Sequence, residues 1–135
     1  MTEISADAQM PLGRERLLLV DDEADIIEMM HLLLEKLGYR VDSTTSSIDA
    51  LDRFRKNPEA FDMVISNQTM PQMTGMELIR RLRLSRPDIP AILCTGFDEK
   101  ITEDHAMQLG IGALVVKPVG IAEMAGKIRD VLDRT

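Results

Sequence analysis

At 135 residues the chain suffices for one domain whose single core needs neither disulfide nor metal to hold it. A net charge of −7 argues against a nucleic-acid surface, which needs clustered Lys and Arg, and a lone cysteine, Cys94, excludes an internal disulfide or a multi-cysteine metal centre. Aromatic residues are only 3% (Tyr39, Phe54, Phe61, Phe97), so the core is expected to be aliphatic with ten methionines as adaptable filler, and no apolar run approaches the ~20 residues of a membrane span.

Residues 1–15 are polar and aperiodic, punctuated by Pro11 and Gly13, and read as a flexible lead-in or linker to a domain over 16–135. They lack the basic-then-apolar order of a secretion signal, so the expected location is cytoplasmic. Leu17–Val20 is the first predicted strand and runs into Asp21-Asp22. Ile26, Ile27, Met30, Leu33, Leu34 and Leu37 make an apolar helical stripe, flanked by Met29 and Leu32 and stopped by Gly38 in the C′ position. Tyr39–Asp42 is the second strand. Ser47 is expected to cap a second helix with Ala50, Leu51 and Phe54 inward, ending at Asn57-Pro58. Met63–Ser66, the third strand, leads into Asn67.

Gly75 opens a third helix with Met76, Ile79 and Leu82 inward, closed by Pro87. Its arginines, Arg80, Arg81, Arg83 and Arg86, read as a solvated face. Ala91–Cys94 is the fourth strand, with Cys94 a buried small hydrophobe, followed by Thr95-Gly96. A fourth helix spans about Ile101 to Leu109 and stops at Gly110. Ala113–Val116 leads into Lys117-Pro118, and the last helix turns Ile121, Met124, Ala125, Ile128, Val131 and Leu132 to one side. Four of the five runs are nearly continuous in apolar residues, as in parallel strands buried on both faces. Five strand-helix units predict a doubly wound α/β sheet, whose ligands bind beyond the carboxyl ends of the strands. Asp21-Asp22, Asn67, Thr95 and Lys117 all fall at such ends.

Adjacent carboxylates after a buried strand repel each other, and hard oxygen ligands of this kind suit Mg²⁺. Taken alone, Asp21 and Asp22 fit helix capping better, with Glu23 a first-turn acid. Lys117 can pair with carboxylates or with a phosphoryl group, or be an exposed lysine before a turn. Thr95 can bond a phosphoryl oxygen or serve the turn at Gly96. Each signal is weak singly; their joint order at four strand ends is specific. His31 and His105 read as solvated helix histidines. A flavin-phosphate site is disfavoured by the negative Asp21-Asp22-Glu23 loop, and a dinucleotide site by the lack of a glycine-rich turn there. A haloacid-dehalogenase-like phosphatase would place its second acid at Glu23 and needs a longer chain.

Residues 16–133 resemble a receiver domain of the two-component signalling family. The resemblance rests on Leu17 to Glu23, the stretch from Asp62 through Met70-Pro71 to Gly75, Cys94-Thr95-Gly96, and Val115 to Pro118. It implies a flavodoxin-like sheet of five parallel strands in order 2-1-3-4-5 with five helices. It further implies a phosphoacceptor at position 67, four residues before Pro71. Mg²⁺ would be held by Asp22 directly, Asp21 largely through water, the main-chain oxygen of Thr69 and residue 67, while Thr95 and Lys117 contact the phosphoryl group. The Lys117–Pro118 bond would be cis, Thr69 and Phe97 would tune dephosphorylation, and Leu114 replaces a switch aromatic. The implied partners are a histidine kinase or phosphotransfer protein at the first helix and a downstream protein through the fourth and fifth helices, with a homodimer left open. Family members are signalling receivers, catalysing only their own phosphorylation and dephosphorylation.

Position 67 departs from that pattern. An acyl phosphate needs an anionic oxygen to attack phosphorus, and the Asn67 amide has none at neutral pH. The expectation is a receiver whose phosphotransfer is disabled and whose Mg²⁺ binding is weakened or lost. Asn67 is either the mark of a natural pseudo-receiver or an introduced Asp→Asn change, and the completeness of the remaining pocket favours the second. The alternative function is a phosphorylation-independent protein-interaction module.

Overall fold

The computed structural model describes residues 10–96 and 103–134. Five strands, β1 (Arg16–Val20), β2 (Arg40–Thr44), β3 (Met63–Asn67), β4 (Ala91–Thr95) and β5 (Ala113–Val116), pair in parallel in the order β2-β1-β3-β4-β5. Among the described residues they alternate with five helices: α1 (Ala24–Lys36), α2 (Ser47–Lys56), α3 (Gly75–Ser85), α4 (Glu103–Gln108) and α5 (Ile121–Asp133). This is the flavodoxin-like order that the family resemblance implied. No helix among the described residues is long and apolar enough to cross a membrane.

The two-residue period of β1 sends Leu17 and Leu19 to one face of the sheet and Leu18 and Val20 to the other. The first face packs under α1 and α5 through Ile27, Met30, Leu34, Met124 and Ile128. The second packs under α2, α3 and α4 through Leu51, Phe54, Leu78, Leu82 and Ala106. Each fully buried Leu or Ile contributes about 1.5–3 kcal/mol, so the doubly covered strands β1, β3 and β4 anchor the fold and fix where their tips lie.

Several local expectations are corrected. Ser46, not Ser47, caps α2: it is extended and its hydroxyl accepts the Asp49 N–H at 3.1 Å, while Ser47 is the buried first helical residue. Tyr39 is buried but precedes β2, because Gly38 at φ +105° turns the chain in a Schellman closure with Gly38 and Tyr39 N–H groups on the Glu35 and Leu34 carbonyls. β5 is an edge strand with Ala113 and Leu114 half-buried and Val116 exposed, so it is not covered on both faces. The arginines of α3 are not all a solvated face. Arg80 and Arg81 pair with Glu77, but Arg83 donates to the carbonyls of Leu109 (2.7 Å), Gly110 (2.6 Å) and Ile89 (3.2 Å), and Arg86 to those of Pro58 and Phe61. The planar guanidinium fork suits loop carbonyls that have no ladder partner. His31 is likewise not simply solvated: Nδ1 lies 2.7 Å from Ser43 Oγ and Nε2 3.2 Å from Glu35, tying α1 to β2. His105 is exposed.

The described part of the expected lead-in lies on the domain. Met10 packs against the α1/α5 core, the Gly13 N–H donates to Leu37 O at 3.1 Å, and Arg129 of α5 grips Glu15 at 2.7 Å. The Arg129 hydrogen bonds hold the Glu15 carboxyl down at about 2 against an ordinary 4.5. A depressed folded-state pKa stabilises above the unfolded value, so this contribution is present above pH 4.5 and disappears as pH falls from 4.5 towards about 2. Arg129→Met is expected to cost about 1–2 kcal/mol at neutral pH after allowance for solvent screening. In urea denaturation at a series of pH values, the gap between parent and variant should narrow across that window; a constant gap would contradict the assignment.

Candidate functional site

The carboxyl ends of β1, β3, β4 and β5 carry the residues singled out in the sequence, and side-chain contacts join Asn67 to Asp22 and Lys117 to Asp21. β1 ends at Val20, leaving Asp21 buried (7% exposed) and Asp22 exposed at its tip. Asn67 is the buried last residue of β3, and Thr95 the buried last residue of β4. Asn67 pairs with Cys94 across the two strands, and the Gln68 N–H donates to Cys94 O at 2.8 Å, so Thr95 stands one residue beyond the partner of Asn67. Lys117 follows β5 and its N–H donates to the Thr95 carbonyl at 2.7 Å, which fixes the lysine backbone over the tip of β4. The Lys117–Pro118 bond is cis.

Two sets of contacts organise the site. Lys117 Nζ donates to Asp21 Oδ2 at 2.9 Å and to Glu23 Oε1 at 3.2 Å. Burial works against the charged ammonium, but the two carboxylates outweigh it and hold the Lys117 pKa above the usual lysine value. The other Asp21 oxygen accepts the Glu23 N–H at 3.0 Å. Asp21 and Asp22 thus do not cap α1 in the expected way: the N-cap residue is Glu23, whose side chain makes no cap bond. In the second set, Asn67 Nδ2 donates to Thr69 O at 2.9 Å and to Asp22 Oδ1 at 3.3 Å. An amide NH₂ carries two donors, and both acceptors here are oxygens, so the nitrogen rather than the amide oxygen faces them.

This arrangement bears on Mg²⁺. Asp22 Oδ1 and Thr69 O are engaged by the amide, and both Asp21 oxygens by Glu23 N–H and Lys117. Among the described residues no group of three or more His, Cys, Asp or Glu side chains is placed to hold a metal ion. Mg²⁺ demands near-octahedral oxygen coordination and dehydrates reluctantly. The donor set does not fit it while residue 67 points two N–H groups at the same oxygens.

The loop after β3 is held by contacts that the sequence did not disclose. The Gly75 N–H donates to Gln68 O at 2.9 Å, and the Met76 N–H to Gln68 Oε1 at 2.9 Å, so Gln68 latches the start of α3 to the tip of β3. Gly75 is required by closeness: an added Cβ would lie 2.3 Å from the Asn67 carbonyl oxygen. Glu23, a first-turn acid by sequence, is the second carboxylate on Lys117, and its signal in the sequence is a third acid beside a pair that faces a single lysine. Cys94 is buried, and burial pushes its thiol up to about 12, leaving it unreactive as a small hydrophobe should be. Leu114 is half-buried and packs on the α2/α3/α4 core, while Phe97 lies outside the described residues.

A family model described as the response regulator receiver domain matches residues 17–129. The chain is 35% identical over 116 residues to the two-component response regulator ORR22 of rice, covering 86% of this chain and 16% of that protein. It is 30% identical over 118 residues to the response regulator SaeR of Staphylococcus aureus, covering 87% of this chain and 50% of SaeR. The chain thus spans half or less of these relatives. A response regulator receiver domain protein from Clostridium thermocellum superposes with a TM-score of 0.84 at 29% identity, covering 89% of this chain and 95% of that one.

Proposed function

This chain belongs to the response-regulator receiver family, and we propose that it is a two-component signalling module in which position 67 is the phosphoacceptor position and Asn67 disables it. Asp21, Asp22, residue 67 and the Thr69 carbonyl stand at the cation positions, and Thr95 and Lys117 at the phosphoryl-contacting ones. The observation that carries this reading is the double hydrogen bond from the Asn67 amide to Asp22 and Thr69, beside the Asp21–Lys117 ion pair, at the strand ends where such sheets bind ligands. The amide supplies N–H donors where the family's chemistry uses a cation, and it offers no nucleophilic oxygen. In this reading the module is cytoplasmic and is not an enzyme. Its partners are a histidine kinase or phosphotransfer protein, met at α1, where Met29 and Leu32 are 52% and 55% exposed, and a downstream protein met through α4 and α5.

The second reading is an interaction module that works without phosphorylation, and the engagement of Asp22 and Thr69 by the Asn67 amide favours it. Incubation with acetyl phosphate and Mg²⁺ followed by intact mass measurement tests the disabled acceptor. No phosphoryl adduct is expected; an adduct that Asn67→Ala abolishes would contradict it.

A further inference from the structure

Between α1 and α5, under the carboxyl ends of β1, β3 and β4, lies a cavity of about 360 Å³. Its wall is apolar, formed by residues such as Leu19, Ile27, Met30, Ile65 and Met124. Ile26 and the 52%-exposed Met29 also line it, so it opens to solvent along α1. The volume falls at the lower end of the roughly 300–1,000 Å³ typical of small-molecule sites, which pair apolar walls with a few placed polar groups.

The charged groups lining this cavity are Asp21, Glu23 and Lys117, two carboxylates to one ammonium, joined by the amide of Asn67. Lys117 already spends its charge on both acids, at 2.9 and 3.2 Å. An anionic ligand would have to displace one of them, whereas a cation can join the Glu23 carboxylate, which is 58% exposed. We propose that the cavity binds a small molecule with an apolar body and a primary ammonium end, seated between α1 and α5 with its charge at the exposed Glu23 carboxylate. The polarisable sulfurs of Met29, Met30 and Met124 adapt to an irregular or aromatic body. Occupancy alters the surroundings of Asn67 and Lys117 directly, giving the module an input that involves no phosphoryl transfer. The proposal stands independently of whether residue 67 is the phosphoacceptor position.

Methionine-methyl NMR on the whole chain tests it, with phenylbutylamine and its near-isosteric carboxylate, phenylbutyrate, as probes. The expected result is saturable shifts with the amine, centred on Met29, Met30 and Met124 among the ten methionines. The carboxylate should bind about tenfold more weakly, a difference of about 1.4 kcal/mol. Glu23→Gln, which keeps the size of this 58%-exposed side chain and removes its charge, should erase that preference. Absence of saturable shifts, shifts centred on other methionines, equal binding of the carboxylate, or an unchanged preference in Glu23→Gln would each overturn the proposal.

Discussion

Asn67→Asp is expected to raise Mg²⁺ affinity roughly a hundredfold and to make the stability of the domain depend on the ion. The substitution removes the two amide donors that now satisfy Asp22 Oδ1 and Thr69 O, and puts a third carboxylate beside Asp21 and Asp22. Two like charges about 4 Å apart at an effective dielectric of 20 repel by about 4 kcal/mol. Lys117 and the exposure of Asp22 reduce that, and about 2–3 kcal/mol of destabilisation in EDTA is the expected net effect. The same excess of negative charge attracts a divalent cation, and binding to the folded state alone restores stability as the ion is added. Urea denaturation in EDTA and in excess Mg²⁺ reads both effects. The parent protein should be indifferent to Mg²⁺. Equal stability of the variant in both conditions would remove the argument that the amide stands in for a cation.

Gly75→Ala is expected to destabilise the domain by about 2–3 kcal/mol, although alanine is the better helix former by up to about 1 kcal/mol. The new Cβ would lie 2.3 Å from the Asn67 carbonyl oxygen, 2.7 Å from Leu93 Cδ1 and 3.0 Å from Ser66 Oγ. The nearest of these is backbone and cannot rotate away. The start of α3 must retreat from the tip of β3, straining the latch between Gln68 and the Gly75 and Met76 N–H groups. Gly126→Ala is the control: it lies within α5, nothing stands within 4 Å of its added Cβ, and it should gain stability. Chemical denaturation of the pair separates close approach from helix propensity, and a Gly75→Ala variant as stable as the parent would refute the packing argument.

How much the sequence disclosed follows from where each signal resides. β1, β3 and β4 were legible because both their faces are buried and their residues are nearly all apolar. β2 was displaced because Tyr39 is buried in a helix-ending turn, and apolar identity alone does not separate that from a strand. Ser46 and Ser47 are both able to cap; the choice is made by the burial of Ser47 against the Pro71 carbonyl, 24 residues away. Arg83 and Arg86 looked solvated because their carbonyl partners lie 25 to 28 residues off for all but one contact. The site residues were legible as strand-end residues, which the doubly wound fold gathers at one edge. Their pairing was not: Asp22 meets Asn67 across 45 residues and Asp21 meets Lys117 across 96, and only the register of neighbouring strands assigns one acid to each.

The central claim is that the side chain at position 67, and no other part of the pocket, blocks phosphotransfer. Parent protein and Asn67→Asp should be treated side by side with acetyl phosphate and Mg²⁺, and any adduct located by peptide mapping. One phosphoryl group on the variant, at position 67, and none on the parent is the predicted outcome. A variant that stays unmodified, or carries its adduct elsewhere, would contradict the claim.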